Sequence, residues 1–417
     1  MNRRSLFKAT CALSFTITTA FSLSSVIPKN EVRIKNVLKA QSEETNEESS
    51  PNSDVNRRGF LSNSAVSAIA FSNMLSPENT LAVETNAVPA MAPRIQLPPM
   101  GLGAWAWGDS FFWGYDSKND ADLQQVFQYA VDNQCAFFDT AEVYGFGRSE
   151  TLLGQFQSQD LSKKTQIATK FAALPWRTKP QAVVDACKNS LQRLGMDQVD
   201  LYQIHFPNAW ANEEYWDGLA MCYEEGLVKA VGVSNYGVDA LKACHGKLKE
   251  RGIPLQSNQI QCSLLYRWPL ENGLLKACKD LDVDILSYSP LALGFLTGKY
   301  SKDNLPSGPR KVLGEKLYGG NFGDLENTMK SIASGHADAS VSQVALNWAR
   351  AKGTIPIPGA RNLKQAKQNI GALSWSLSDD ELKALDDAAS KIPSIVAPDA
   401  SPFPKKDKNT GLIMFDS

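Results

Sequence analysis

No Cys-x-x-Cys pair occurs in this chain of 417 residues, and none of its seven cysteines stands at metal-ligand spacing from a histidine. A cysteine–histidine metal site is therefore not expected. Cys11, Cys135, Cys187, Cys222, Cys244, Cys262 and Cys278 read as small thiols, six of them in or beside strands and helices, in a reduced compartment. Long runs of basic charge are also missing. With 43 basic and 44 acidic side chains the formal net charge is −1, which excludes a nucleic-acid or anionic-membrane surface. No Gly-x-Gly-x-x-Gly turn follows a strand pattern. "GLGAWAWG" (101–108) has the first two glycines and the wrong remainder, so a dinucleotide, if bound, must be held without a Rossmann turn. What the chain does have is 43% apolar residues, enough for a full core.

The first 92 residues differ in class from the rest. "MNRRSLFKATCALSFTITTAFSLSS" begins basic and continues apolar and hydroxyl-rich, too short and too polar to span a bilayer. An acidic, polar linker follows, "QSEETNEESSPNSD", of a composition that favours disorder. Then comes "NRRGFLSNSAVSAIAFSNMLS", with Arg57–Arg58 and small-residue cleavage candidates at Ala82 and Ala92. Two signals in series resemble a bipartite plastid presequence. The twin arginines resemble an export signal toward a thylakoid lumen, so stroma and lumen both stay open. Residues 93–395 are expected to form one domain and 396–417 a tail.

From Gln96 onward, short apolar runs alternate with amphipathic stretches. Strand patterns fall at "GLGAWAW", "CAFFDTA", "TQIATKF", "VDLYQIHF", "VKAVGVSN", "LQSNQIQC", "VDILSYSP" and "GTIPIPG". Helical spacing marks such intervening segments as "PQAVVDACKNSLQRLG" and "SQVALNWARAKG". Eight strands, each followed by a helix or a helix-bearing insertion, predict a closed α/β barrel of the (β/α)8, or TIM, type. The longest insertion, about 291–335, is placed to carry a lid.

In such a barrel chemistry belongs at the carboxyl ends of strands. Asp139 ends the second strand and Tyr144 lies in the loop beyond it. Lys170 ends the third, His205 the fourth and Asn235 the fifth, and Gln259 lies on the sixth. Polar groups gathered at one end of an apolar barrel are costly to bury without a purpose. A phenol, with a pKa near ~10, is a sluggish proton donor. An adjacent lysine is expected to draw it toward neutrality, an aspartate to keep that lysine charged, and an imidazole to orient a carbonyl oxygen. A Tyr/Lys/Asp/His group with no acyl nucleophile suits proton delivery to a carbonyl that takes its hydride from a cofactor.

The stretches "FFDTAEVYGFGRSE", "ATKF", "LYQIHF", "VGVSNY", "SNQIQCSLLYR", "SYSPLALGFLTGKY" and "IPIPGARNLKQAKQN" together resemble the aldo-keto reductase family over about residues 95–392. The resemblance implies an NADPH-dependent reductase of aldehydes or ketones with Tyr144 as general acid and Asp139, Lys170 and His205 completing its group. It implies that Ser234, Asn235 and Gln259 hold the nicotinamide amide, with Tyr288 stacked on its face and Ser289 and Leu291 beside it. Gly359, Arg361, Gln365, Gln368 and Asn369 fall where the family holds the adenosine 2′-phosphate and adenine; many relatives carry Glu where this chain has Gln368. "GAWAWGDSFFWGYD", "ATKFAALPWR" and "LPSGPR" look most like plant plastid members that reduce pyridoxal. Trp105, Trp107, Trp113, Trp176 and Trp210 fall near the catalytic face, either lining an aromatic substrate pocket or packing loops on the rim. The expected partner is a small carbonyl compound, without nucleic acid or membrane insertion, acting on a monomer. The alternatives are a cofactor-binding sensory barrel with negligible turnover and a lumenal structural protein.

Overall fold

Each of the eight strand patterns becomes a strand in the computed structural model. It describes residues 89–393 except 111, 160–164, 209–210, 308–309 and 338, together with two short strands near the C-terminus. The presequence reading, residues 1–92, lies almost wholly outside the described residues. The strands are β1 (Leu102–Gly103), β2 (Phe137–Asp139), β3 (Gln166–Phe171), β4 (Val199–Ile204), β5 (Val228–Ser234), β6 (Leu255–Gln261), β7 (Asp284–Tyr288) and β8 (Ile355–Pro356), parallel and neighbours in chain order. Closure comes from β1 meeting the chain just past β8. Gly103 pairs with Gly359, and the amides of Gly101 and Gly103 donate to the carbonyls of Pro356 and Pro358 at 3.1 and 3.0 Å. The expected barrel is therefore present. Its first and last strands are shorter than their apolar runs because Pro356 and Pro358 have no N–H to give a ladder. At Gly101 a β-carbon would sit 2.4 Å from the Phe137 ring, so only glycine fits there.

The helices around the barrel are α1 (Asp120–Asp132), α2 (Arg148–Gln157), α3 (Pro180–Leu194), α4 (Asn212–Glu224), α5 (Val238–Lys249), α6 (Leu274–Asp280), α7 (Arg310–Tyr318), α8 (Phe322–Gly335), α9 (Val341–Ala351), α10 (Leu363–Ile370) and α11 (Asp379–Ser390). Their ends follow local chemistry. Pro180 occupies the first turn of α3 and Gly195 closes it in the left-handed region, while Ser378 and Glu381 form a capping box on α11. Of the long insertion, α7 and α8 pack with α9 and α11 around Leu317, Phe322, Met329 and Trp348 in a second core. That part is a wall rather than a lid. The expected C-terminal tail holds a two-stranded antiparallel pair, β9 (Lys405–Lys406) with β10 (Ile413–Met414).

Inside the barrel the alternation of strand residues stacks two levels. Phe137, Ala168, Leu201, Ala230, Leu286 and Ile357 form an apolar lower level, with Leu97 packed against them. The segment before β1 closes that end. Arg94 pairs with Asp282 (2.5 Å) and Asp284 (2.6 Å), and the Gln256 side chain accepts from the Ile95 amide (3.0 Å) and donates to its carbonyl (3.1 Å). The upper level is polar. Lys170, Gln203, Gly232 and Ser257 are successive register partners across β3, β4, β5 and β6. Polar side chains at this depth survive only if they satisfy one another.

Candidate active site

Lys170 is fully buried and its ammonium is held by two acceptors: Asp139 Oδ1 at 2.5 Å and the Thr140 carbonyl at 2.8 Å. The other carboxylate oxygen of Asp139 accepts from Gln259 Nε2 at 2.7 Å. Desolvation lowers the affinity of Lys170 for its proton, and Asp139 opposes that shift. Lys170 Nζ lies 5.0 Å from the centre of the Tyr144 ring, and the Tyr144 hydroxyl lies 3.5 Å from His205 Nε2. The four residues read from strand ends are thus brought together. Tyr144 reaches the group because a run of left-handed residues follows it: Gly145, Phe146 and Gly147 all have positive φ. At Gly145 a β-carbon would meet the Gly108 carbonyl oxygen at 2.3 Å, so glycine is required there.

The electrostatics correct one expectation. Tyr144 and His205 keep some accessible surface, yet protein crowds both rings. Burial first, and then the negative charge of Asp139, hold the Tyr144 phenol well above its ordinary range. Lys170 does not draw it toward neutrality, because burial and the charge of Asp139, 2.5 Å from the lysine ammonium, outweigh it. The resting phenol therefore keeps its proton. His205 is driven well below the usual imidazole range by burial and by the charge of Lys170, so it is neutral. Its Nδ1 has no hydrogen-bond partner among the described residues.

A folded-state pKa depressed below the unfolded value of ~6.5 means that the unfolded chain binds the extra proton first. His205 should then destabilise the fold as pH falls below ~6.5, by up to about 1.4 kcal/mol per pH unit, and have no such effect above it. Urea unfolding of wild type and His205→Asn between pH 5 and 8 measures this. Wild type should lose stability relative to His205→Asn toward acid; a difference flat with pH would mean that His205 titrates normally in the fold.

The residues assigned to a cofactor sit around the same end of the barrel. Asn235, just past β5, lies in the left-handed region (φ 63°), donates to the His205 carbonyl at 3.2 Å and to Ser234 Oγ at 3.0 Å, and accepts from the Tyr288 hydroxyl at 2.9 Å. Ser289, just past β7, also has positive φ, and Leu291 follows it half-buried. Strained non-glycine backbone of this kind costs about 1–3 kcal/mol per residue and gathers at working sites. Gly359 and Arg361 are exposed at the turn into α10, and Gln368 is exposed on the helix itself. Gln365 accepts from the Arg361 amide at 2.8 Å, and Asn369 is buried, donating to the Gly359 carbonyl at 3.1 Å. Those last two brace the turn. Asn362 caps α10, whose first turn contains no acidic residue.

The tryptophans divide. Trp105 stacks on Phe112 (centroids 5.1 Å apart), meets Trp113 edge-on at 5.4 Å and lies 6.1 Å from the Tyr144 ring. Trp113 in turn lies against the guanidinium groups of Arg310 (5.4 Å) and Arg361 (5.7 Å), and its carbonyl accepts from Arg361 at 3.2 Å. Trp107 does not line a pocket. It is fully buried against Phe138 and Phe156 and donates to the Ala360 carbonyl at 2.8 Å, because its position on β1's exit turns it outward under α2. Trp176 is 53% exposed, and Trp210 lies outside the described residues.

The sequence reading passed over Phe112, Arg310 and Gln203. For Gln203 the signal was present, since it lies two residues before His205 and pairs in register with Lys170.

A model of the aldo/keto reductase family matches residues 99–390. The chain belongs to the aldo/keto reductase family. Among its relatives is the chloroplastic pyridoxal reductase of Arabidopsis thaliana, 44% identical over 316 residues, which span 72% of this chain and 85% of the relative. A probable aldo-keto reductase of Glycine max is 32% identical over 66% of this chain and 81% of its own. Of solved structures, a glycerol dehydrogenase from Gluconobacter oxydans superposes with TM-score 0.63 at 26% identity, covering 73% of this chain and 96% of that one. An aldo/keto reductase from Klebsiella pneumoniae, crystallised with NADP and acetate, gives 0.56 at 25% identity over 70% and 91%. As an aldo/keto reductase barrel the chain places its Tyr–His–Lys–Asp group at the carboxyl ends of β2, β3 and β4, the face where barrel enzymes carry chemistry.

Proposed function

We propose that the protein reduces an aldehyde or ketone with NADPH, and that Tyr144 delivers the proton to the carbonyl oxygen. The observation that carries this reading is a half-buried phenol 3.5 Å from an imidazole and beside a buried Lys170–Asp139 pair. NADPH, when bound, supplies the hydride. Tyr144 holds its proton until the carbonyl oxygen gains charge, when that oxygen becomes a stronger base than a phenolate. His205, neutral, offers a hydrogen bond to the same oxygen and so fixes its place beside Tyr144. The Lys170 ammonium then faces the phenolate left behind and stabilises it. Trp105 and Phe112, stacked on each other, and Trp113, edge-on to both, gather aromatic surface next to Tyr144, suited to an aromatic aldehyde. Pyridoxal fits that description, and the plant relative's name supports it.

The donors around α10 fit the cofactor's phosphate. Arg361 has no carboxylate partner among the described residues, and it stands beside a capped helix N-terminus free of acidic side chains. Arg361→Ala should weaken NADPH binding by ~1.5–3 kcal/mol, the value of a charge-assisted hydrogen bond, and leave NADH binding nearly unchanged. Fluorescence titration with both cofactors measures it, and equal losses for the two would assign Arg361 to the fold. Ser234, Asn235, Gln259 and Tyr288 would face the nicotinamide end.

The activity is tested by following NADPH absorbance with the purified chain and a carbonyl panel that includes pyridoxal. Tight NADPH binding with no turnover across the panel would favour a sensory role. We assign residues 1–92 to plastid targeting, with 93–395 as the catalytic domain. The relative's name supports the chloroplast and gives no support to the lumen. Among the described residues no helix is long and apolar enough to cross a membrane.

A further inference from the structure

Asp139 is the hub of the buried group, and its Lys170 and Gln259 contacts are not its only ones. Gln203 Nε2 lies 3.4 Å from Asp139 Oδ2, on the oxygen that Lys170 does not occupy. Gln203 is itself tethered at its far end, where its Oε1 accepts from the Ser257 hydroxyl at 3.1 Å. Both side chains are fully buried. Their meeting depends on the residue between them in register. At Gly232 a β-carbon would lie 2.3 Å from Ser257 Oγ and 3.1 Å from Gln203 Cγ, so any other residue would separate the two. An unbranched polar rung in a barrel otherwise filled with apolar side chains costs desolvation, which only its hydrogen bonds offset.

We infer that Gln203, anchored by Ser257 through the gap at Gly232, is a positioning residue that holds the Asp139 carboxylate in the orientation from which it fixes Lys170. The inference rests on the reductase reading for its catalytic consequence, and on geometry alone for its contact. Gln203 touches neither the reacting atoms nor Tyr144; it acts through Asp139. An amide is suited to the task. It donates to a carboxylate without adding a charge, so it orients Asp139 without competing with Lys170 for it.

Two variants test this. Gln203→Met keeps length and removes both amide functions. It should lower kcat about tenfold or more, a share of the ~10²–10⁴ that a positioned acid–base group contributes, with KM changed less than twofold. Gln203→Glu places a carboxyl against Asp139. Protonated, that carboxyl can donate as the amide does; ionised, it repels. The ratio of its kcat to that of wild type should therefore rise as pH falls from 8 to 5, a trend that loss of packing does not produce.

Unfolding by urea reads the contact without turnover. The introduced carboxyl has its folded-state pKa raised by burial and further by Asp139, so Gln203→Glu should lose stability relative to wild type as pH rises from 5 to 8. In an Asp139→Asn background that pH dependence should shrink to the part that burial alone supplies. Ser257→Ala, which removes only the tether, should reproduce part of the kcat loss if Gln203→Met fails to fold. Wild-type kcat in folded Gln203→Met and Ser257→Ala would reduce Gln203 to packing and overturn the inference. So would a pH dependence of the Gln203→Glu stability difference that Asp139→Asn leaves unchanged. A wild-type chain with no carbonyl turnover would instead end the reductase reading, and the unfolding cycle would still decide whether Gln203 holds Asp139.

Discussion

Replacing Tyr144 with Phe is expected to cut carbonyl reduction by at least ~10²–10⁴-fold, the usual contribution of a positioned general acid. The fold should hardly notice. Among the described residues the Tyr144 hydroxyl has one hydrogen-bond partner, His205 at 3.5 Å, and the ring keeps its place near Trp105. NADPH affinity should stay near wild type for the same reason. Turnover, cofactor titration and thermal unfolding on one preparation separate the outcomes. A well-folded Tyr144→Phe protein with near-normal turnover would refute the proposed proton donor. Because burial and Asp139 keep the phenol protonated, no loss of the donor form should appear in the kcat profile through pH 9.

Lys170→Met should fail in two ways at once. Activity falls because the phenolate left after proton transfer faces no cation. Stability falls too, because Asp139, 2% exposed, is left as a buried charge with only the neutral amides of Gln259 and Gln203 beside it. Breaking a buried pair by removing one partner typically costs about 3–5 kcal/mol. Asp139→Asn should be milder, since burial already lowers the pKa of Lys170 and lets it shed its proton. The double variant should be more stable than Lys170→Met, because no charge is then stranded. Combined with Tyr144→Phe, Lys170→Met should add little further loss of kcat, since both disable one unit. Urea denaturation of the set checks the order; a Lys170→Met protein within ~1 kcal/mol of wild type would mean that water reaches Asp139.

The barrel was legible because its strands are short apolar runs closed by turn residues, and the four catalytic candidates were legible because each interrupts or ends such a run. Less visible was α2. Its buried face carries Ser149, Glu150 and Gly154, which break the apolar period. Those residues are inward-facing for good reason: Glu150 accepts from Thr169 and Arg193, both at 2.5 Å, and Ser149 donates to the Ala104 carbonyl at 2.9 Å. The fate of the tryptophans could not be read either. Trp105 and Trp107 are two residues apart, and a loop rather than a strand carries them, so no periodicity says that one faces Tyr144 and the other the outer core. The direction of the Tyr144 shift was missed for a different reason. Sequence shows a lysine near a tyrosine, whereas the field at the phenol depends on how closely an aspartate covers that lysine.

The short segment ahead of β1 would set a limit on the presequence removal proposed above. Arg94, Ile95 and Leu97 form the floor of the barrel, tied to Asp282, Asp284 and Gln256. A processing protease that cut beyond Arg94 would remove a wall of the core rather than a leader. Upstream, the Ala92 amide donates to the Gly252 carbonyl at 2.9 Å, and Pro89 and Ala90 crowd Gly252 so closely that a β-carbon there would meet the Ala90 carbonyl oxygen at 2.9 Å. Scission after Ala82 spares this seam, and scission after Ala92 strips it away. Of the two small-residue sites, the one at Ala82 therefore leaves the base of the barrel fully sealed, and the one at Ala92 does not.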